Sequence, residues 1–175
     1  MKIKILLVAL LVLTTSGLAM ADDDKQGTMF WGGWLGVGFG NVEYYEFSPL
    51  VGFYPLERVA TGIRLTYRYR NDERYTPQLR SNDYGAGVFA RFYIIPSIFL
   101  QGEYDYLSYD YITRFNQEER GSDTRLMGGA GFSTAVNDHI SVSLTGLYDF
   151  LYDEDDLYSA YGSPWVIRGG IGFGF

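Results

Sequence analysis

Large apolar residues alternate with small or polar residues along most of this chain. The pattern is clearest at the C-terminal end, where one face is bulky and the other is small except for one arginine. The bulky face carries Trp165, Ile167, Ile171, Phe173 and Phe175, and the small face carries Val166, Arg168, Gly170, Gly172 and Gly174. A period of two residues predicts a β-strand. A bulky apolar face opposite a small or charged face is typical of a strand whose outer side meets lipid.

The same alternation predicts eight strands in all. Their predicted ranges are 29–39, 47–54, 59–70, 84–94, 98–109, 124–135, 139–151 and 164–175. The second range contains Pro49, which cannot donate to a strand ladder, and this predicts a bulge at that position.

The predicted connections alternate between short and long. Residues 55–58, 95–97 and 136–138 form tight turns, whereas residues 40–46, 71–83, 113–123 and 152–163 form longer, polar and charged loops. This alternation, with both termini on the short-turn side, is typical of an even-numbered antiparallel barrel. The sequence therefore predicts an all-β, eight-stranded, up-and-down transmembrane β-barrel.

A soluble β-sandwich is the alternative, because it would bury the apolar faces and expose the polar ones. Two observations favour the barrel: glycines line one wall opposite larger side chains, and opposite charges fall at matching heights on the small faces. Arg91 is expected to pair with Glu103 or Asp105, and Asp149 with Arg125 or Arg168, because a buried charge needs a partner. The predicted interior ion-pair network is Arg64, Arg68, Arg91, Glu103, Asp105, Arg125, Asp149 and Arg168. With eight strands, such side chains fill the lumen, which indicates a plug and disfavours a diffusion pore.

The N-terminus has the features of a secretory signal peptide. Lys2 and Lys4 precede an apolar run, and an Ala19-Met20-Ala21 cleavage site follows it. Residues 1–21 are therefore expected to be the signal peptide, and residues 22–175 an outer-membrane β-barrel domain. The apolar run is too short to be a membrane-spanning helix.

Composition supports an exported, strand-rich chain. It contains 16 Tyr, 12 Phe, 3 Trp and 22 Gly, which suits strands and interfacial aromatic girdles. With no cysteine, stability has to come from strand pairing and packing. The net charge of −7 argues against a nucleic-acid partner.

Four stretches of the chain share a further pattern: residues 48–55 (SPLVGFYP), residues 59–63 (VATGI), residues 91–93 (RFY) and the terminal residues 172–175 (GFGF). They resemble the small eight-stranded outer-membrane barrels of the OmpA/OmpX type. The resemblance implies the barrel fold, the bacterial outer membrane as the compartment, and no catalytic residue. It also implies that the barrel-assembly machinery reads the terminal Phe175 as an assembly signal.

Function is expected to lie on the long-loop side, in a structural or surface-interaction role. The predicted loops are acidic and rich in tyrosine, which is a residue suited to contact surfaces. These residues are Glu43, Tyr44, Tyr45, Glu46, Asp72, Glu73, Tyr75, Glu118, Glu119, Asp153, Glu154, Asp155, Asp156, Tyr158 and Tyr161. Expected partners are outer-membrane lipid and lipopolysaccharide, the assembly machinery and a host or surface ligand. The chain is expected to be a monomer without catalytic, cofactor-binding or metal-binding residues.

Two other functions are possible: a narrow channel, which the charged lumen disfavours, and a lipid-modifying enzyme. His139-Ile140-Ser141 resembles the His-x-Ser pair of an outer-membrane deacylase family, but Val142 stands where that family has Asn. His139 also falls at a short turn, and no acid is evidently placed to orient it. The acidic residues 153–156 lack the spacing and glycine of a dedicated calcium loop.

Overall fold

The computed structural model describes residues 26–38, 42–73, 76, 78–113, 117–154 and 160–174, without the side chain of Glu118. The signal-peptide prediction and the terminal Phe175 lie outside these residues. Eight strands form the described part of the chain. They are β1 (Met29–Gly38), β2 (Val42–Leu56), β3 (Val59–Asp72), β4 (Leu79–Ile95), β5 (Ile98–Ile112), β6 (Glu118–Asn137), β7 (Ile140–Asp149) and β8 (Trp165–Phe173).

Each strand pairs antiparallel with the next, and β8 pairs back onto β1 to close a barrel. Closure leaves every strand with two neighbours at mid-height, so the barrel has no open edge there. In the described ranges, no helix is long and apolar enough to cross a membrane.

The strands are longer than the sequence predicts at the long-loop end. β2 begins at Val42, β4 at Leu79 and β6 at Glu118, so much of three predicted loops is strand. The loop assignments were wrong there because polar residues occupy both faces of these extensions. The hydrophobic alternation that marks a strand is then absent, although backbone pairing continues.

Pro49 interrupts the pairing of β2 with β3 without shifting its register. Phe47 pairs with Tyr67 and Leu50 pairs with Arg64, which is one continuous register. The predicted bulge at Pro49 is wrong, because proline removes a hydrogen-bond donor but adds no extra residue. The register shifts lie beside the short turns, at the ends of β2, β4 and β6.

The outer face of the barrel is an apolar band between two aromatic girdles. Large apolar side chains such as Ile63, Leu65 and Ile167 are about 60% exposed at mid-height. The upper girdle, at the long-loop end, comprises Tyr45, Tyr67, Tyr84, Tyr106, Tyr148 and Trp165, and the lower girdle comprises Trp31, Phe53, Phe92, Phe132 and Phe173.

The height of this band suits a bilayer. Ile98 and Tyr106 mark its two limits on β5. Eight residue steps along a strand tilted by about 40° rise roughly 20 Å, close to the apolar band of outer-membrane barrels. The predicted fold class, an eight-stranded antiparallel transmembrane β-barrel with a filled interior, is confirmed.

Candidate functional site

Aromatic side chains fill the short-turn half of the lumen. Phe30 and Tyr54 have ring centroids 5.2 Å apart, and Trp34 and Phe89 have centroids 5.4 Å apart. The small wall predicted from the sequence provides the space, since a Cβ at Gly170 would collide with the Trp34 ring. The cavity that remains beside these rings is about 30 Å³, room for about one water molecule.

Five charged residues, which we call the central cluster, lie directly above the aromatic rings: Glu46, Arg64, Glu103, Asp105 and Arg168. The Arg168 Nη1–Glu103 Oε2 distance is 2.5 Å, and the Arg64 Nη2–Glu103 Oε2 distance is 3.1 Å. Arg64 also contacts Asp105, and Glu46 lies 3.4 Å from Arg168 Nε. Four strands contribute to this cluster, so it holds the walls of the barrel together across the lumen.

Trp34 connects the aromatic cluster to the central cluster. The Cζ atoms of Arg64 and Arg168 lie 4.9 Å and 5.6 Å from the Trp34 ring centroid. Indole is the aromatic ring that attracts guanidinium most strongly, particularly in a site shielded from water.

Arg91 does not make the ion pair expected from the sequence. Its Nε donates to Gln101 Oε1 at 2.9 Å and its Nη1 donates to the Tyr93 hydroxyl at 3.2 Å. Gln101 Nε2 then donates to Glu103 Oε1 at 2.5 Å, so the amide relays the contact between the arginine and the acid. The expected pairing with Glu103 or Asp105 failed because Gln101 stands directly opposite Arg91 in the register.

A second group of charges, the upper cluster, lies nearer the long-loop end. It comprises Arg68, Arg70, Asp72, Asp83, Arg125 and Asp149. Arg68 donates from Nε and Nη2 to Asp83 Oδ2 at 2.9 Å and 2.7 Å. Arg125 Nε donates to Asp149 Oδ2 at 2.6 Å, which is one of the two pairings expected for Asp149.

Tyr161 packs against two arginines of the upper cluster. Its ring centroid is 4.4 Å from the Cζ of Arg68 on β3 and 3.7 Å from the Cζ of Arg125 on β6. The neighbouring Ala160 is fully buried and packs with Leu107. The connection from β7 to β8 therefore turns a tyrosine into the barrel mouth.

The lumen is close to electrically neutral. Six arginines and six acids are buried among the described residues: Arg64, Arg68, Arg70, Arg91, Arg125 and Arg168 with Glu46, Asp72, Asp83, Glu103, Asp105 and Asp149. Charges removed from water are tolerated when they are paired and hydrogen-bonded. The arrangement fixes the walls and obstructs the lumen with paired side chains.

All eight residues of the predicted network lie in the lumen. Four other charged residues lie there as well, and the sequence did not predict them. Glu46, Asp72 and Asp83 fell in predicted loops, and Arg70 was placed on the polar face of its strand without a partner. The alternation along β2 could have revealed Glu46, because it lies two residues before Ser48 and therefore faces inward with it. Two tyrosines expected on exposed loops, Tyr44 and Tyr161, also face inward, against Arg68.

Two hairpins rise above the upper girdle. The β3–β4 pairing continues to Asp72–Leu79, and the β5–β6 pairing continues to Ile112–Glu118. In contrast, β6 pairs with β7 only as far as Met127. Residues 118–122 of β6 therefore lie beyond the closed part of the barrel, along the side of a two-stranded ribbon.

An arginine stiffens the outer face of the β5–β6 hairpin. Arg120 Nε donates to Ser108 Oγ at 2.9 Å, and Nη1 lies 3.4 Å from Asp110 Oδ1. Its Cζ is 5.5 Å from the Tyr84 ring centroid on β4, which links the hairpin to the girdle below.

Two features of the sequence bear on catalysis and metal binding: His139 and the acidic residues 153–156. His139 is exposed in the turn after β6, where its backbone N–H donates to Asn137 Oδ1 at 2.9 Å. Within the described ranges, no three His, Cys, Asp or Glu side chains are placed to hold a metal ion. Asp155 and Asp156 of the acidic run lie outside those ranges.

Comparison with solved structures finds other β-barrels. The N-terminal β-barrel domain of Pseudomonas aeruginosa OprF matches with a TM-score of 0.55 and 16% identity, covering 86% of this chain and 98% of that domain. The backbone structure of Yersinia pestis outer membrane protein Ail in a nanodisc gives a TM-score of 0.47 at 16% identity, covering 86% and 100%. A de novo designed transmembrane β-barrel gives 0.44 at 11% identity, covering 88% and 100%. No family model matches the chain, and no curated protein does. At this level of identity, the similarity to the OprF domain shows that the two share the closed β-barrel fold.

Proposed function

We propose that this chain is an integral protein of the bacterial outer membrane with a structural and surface-interaction role, and that it is not an enzyme. The observation that carries the proposal is the reversed distribution of side chains. Trp31 and Trp165 are 62% and 67% exposed on the outside, whereas Arg68 and Asp83 inside are fully buried. Transferring large apolar surface to water is costly, and a bilayer removes that cost.

The proposed location includes export and assembly. Residues 1–21 direct the chain across the inner membrane, and Phe175 is read by the barrel-assembly machinery. The lower girdle then meets the periplasmic leaflet, and the upper girdle meets the lipopolysaccharide leaflet. The protein acts as a monomer, since the barrel is closed and its buried charges face the lumen.

The test is fractionation after expression of the full chain in a Gram-negative host. We expect the mature protein in the outer-membrane fraction, with different gel mobility in unboiled and boiled samples. A mature chain that remains in the soluble fraction without detergent would overturn the proposal.

The interaction role is assigned to the β5–β6 hairpin. Its strand residues 118–122 extend above the girdle beyond the last pairing with β7. A strand edge of this kind can pair with an extended segment of another protein, with main-chain hydrogen bonds supplying affinity. The exposed acid Glu119 and the arginine Arg120 would restrict which segments can pair.

The hairpin can be shortened above the Asp110–Arg120 pair, with loss of Tyr111, which packs against the buried cluster around Tyr161. Replacing residues 111–119 by Asn-Gly retains the Asp110–Arg120 pair, shortens the strand edge from residues 118–122 to residues 120–122, and forms a two-residue hairpin turn. As a control, replacing only residues 113–117 by Asn-Gly retains the strand edge. Adhesion of expressing cells to epithelial monolayers and to polystyrene should fall in the first variant and persist in the second. Equal adhesion by both variants and the parent would show that the hairpin is not an interaction element.

A further inference from the structure

The ladder that joins β1 to β8, which we call the seam, is short. Among the described residues it holds six residue pairs and ends at Gly36–Arg168, whereas the other seven ladders hold nine to fifteen pairs. Both strands continue past that end: residues 37–38 of β1 pair with β2, and residues 165–167 of β8 pair with β7. In the described ranges no pair joins these two segments, so the wall of the barrel divides just above Arg168.

Glycine occupies half of the paired positions in the seam. Every pair except one contains a glycine, and the positions are Gly32, Gly33, Gly36, Gly169, Gly170 and Gly172. Cross-strand side-chain contacts stabilise a sheet, and glycine supplies none. The exception is Trp31–Phe173 at the short-turn end, where the stacked rings have centroids 4.5 Å apart. The lower end of the seam is therefore fastened by side chains across the ladder, and its upper half depends on other contacts.

Arg168 supplies those contacts from the lumen, at the point where the wall divides. Its Nη1 donates to Glu103 Oε2 on β5 at 2.5 Å, and its Nε lies 3.4 Å from Glu46 Oε1 on β2. Its Cζ lies 5.6 Å from the ring centroid of Trp34 on β1. One side chain thus ties the upper half of β8 to three other strands, including its neighbour across the seam.

We propose that the barrel opens locally at the upper end of the seam, and that the Arg168 side chain holds it closed. Unpaired backbone groups are costly in hydrocarbon, which confines the opening to the part of the seam nearest the membrane surface. Trp165 of the upper girdle lies there, and Ile167 is two residues below it, so headgroups and water can reach the freed groups. Opening would expose the charged lumen beside Arg168 to the outer leaflet while the other seven ladders remain paired.

Hydrogen exchange read by mass spectrometry tests the opening in the parent protein, folded in dimyristoyl phosphatidylcholine vesicles. The seam segments are residues 35–38 and 165–168, and the reference segments are residues 64–68 and 83–87 of the β3–β4 ladder, which also run upward from the central cluster. We expect the seam amides to exchange about tenfold faster than the reference amides, because exchange in a folded protein reports local opening. Equal protection of the two ladders in the parent would overturn the inference.

Two variants then test the role of Arg168. Arg168→Met should raise exchange at the seam by about a further tenfold and leave the reference segments unchanged. Arg68→Met is the matched control, because that arginine is also buried and its ion pair with Asp83 lies at the β3–β4 ladder. We expect it to raise exchange at the reference segments and not at the seam. If each variant loosened both ladders equally, Arg168 would not be the residue that holds the seam closed.

A disulfide across the seam gives a measurement that alters no charge and applies even if Arg168→Met fails to fold. Leu35→Cys with Gly169→Cys places two thiols on paired outward positions of the seam, and Leu65→Cys with Ala86→Cys does the same on the β3–β4 ladder. Oxidising the first pair should lower exchange at the seam to the reference level, and oxidising the second should leave it unchanged. Seam exchange that the first disulfide does not slow would show that β1 and β8 do not separate.

Discussion

At the scale of single residues, burial in this protein reverses the usual rule. Arginine and acid side chains fill much of the interior, and large apolar side chains such as Ile63, Leu65 and Trp165 are exposed on the outside. Each buried arginine is stabilised by acceptors at fixed distances, as with Arg168 and its two glutamates. Losing one member of such a set leaves its partners charged and without compensation.

Arg168→Met should therefore destabilise the folded barrel strongly. It leaves Glu46 and Glu103 without a principal partner, and removing one member of a buried ion pair typically costs about 3–5 kcal/mol. The control is Arg120→Met, whose side chain is 47% exposed and whose pair with Asp110 should contribute less than about 1 kcal/mol. Urea unfolding in phospholipid vesicles measures both, and similar losses would contradict the account of the lumen.

Tyr161 should stabilise the barrel mouth through its ring, and its hydroxyl should matter less. Tyr161→Phe keeps both guanidinium contacts, so we expect stability within about 1 kcal/mol of the parent. Tyr161→Ala removes a buried aromatic ring, which typically costs about 3–5 kcal/mol. The control Tyr45→Ala removes an outward-facing ring that is 65% exposed. Vesicle unfolding in which Tyr161→Ala matched Tyr161→Phe would show that the ring does not seal the mouth.

At the scale of strands, the sequence predicts the apolar middle of each element better than its ends. The inward and outward sets of β5 and β7 follow directly from alternation, since Leu100 and Tyr104 face outward and Gln101 and Glu103 face inward. The upper halves of β4 and β6 are polar on both faces, so only backbone pairing reveals them. Partners such as Gln101 for Arg91 depend on register, which the turn geometry sets and composition does not.

The free-energy cost of placing a charged residue on the outward face of a strand should depend on its height along the barrel. Val88→Arg places a charge on the outward face of β4 in the middle of the apolar band, which should cost about 2–4 kcal/mol. Asn82→Arg makes the same face of β4 charged above Tyr84, where the cost should be about 0–1 kcal/mol. Folding into vesicles and urea unfolding measure the difference. Equal tolerance of the two substitutions would mean that the face does not meet hydrocarbon.

At the scale of the whole molecule, the interior has three layers: aromatic rings at the short turns, the central cluster at mid-height, and the upper cluster, against which Tyr161 packs. An eight-stranded barrel is narrow enough for side chains to fill it. We therefore expect the filled barrel to be rigid beneath the hairpins that rise above it.

The purified protein should therefore carry no steady ionic current. In planar bilayers at neutral pH we expect a baseline without unit steps, since the three layers obstruct the lumen. A known porin reconstituted in the same lipid serves as the positive control. Reproducible conductance steps from this protein would show that the layers open.

The central claim is that the bulky outer side chains touch hydrocarbon while the lumen is closed to lipid. Its most direct test uses three variants, each retaining one tryptophan and replacing the other two by phenylalanine, in vesicles with brominated acyl chains. Trp31 and Trp165 lie outside, and Trp34 is 3% exposed inside. We predict strong quenching of Trp31 and Trp165 and almost none of Trp34. Quenching of Trp34 equal to theirs, or no quenching of the outer pair, would contradict the account.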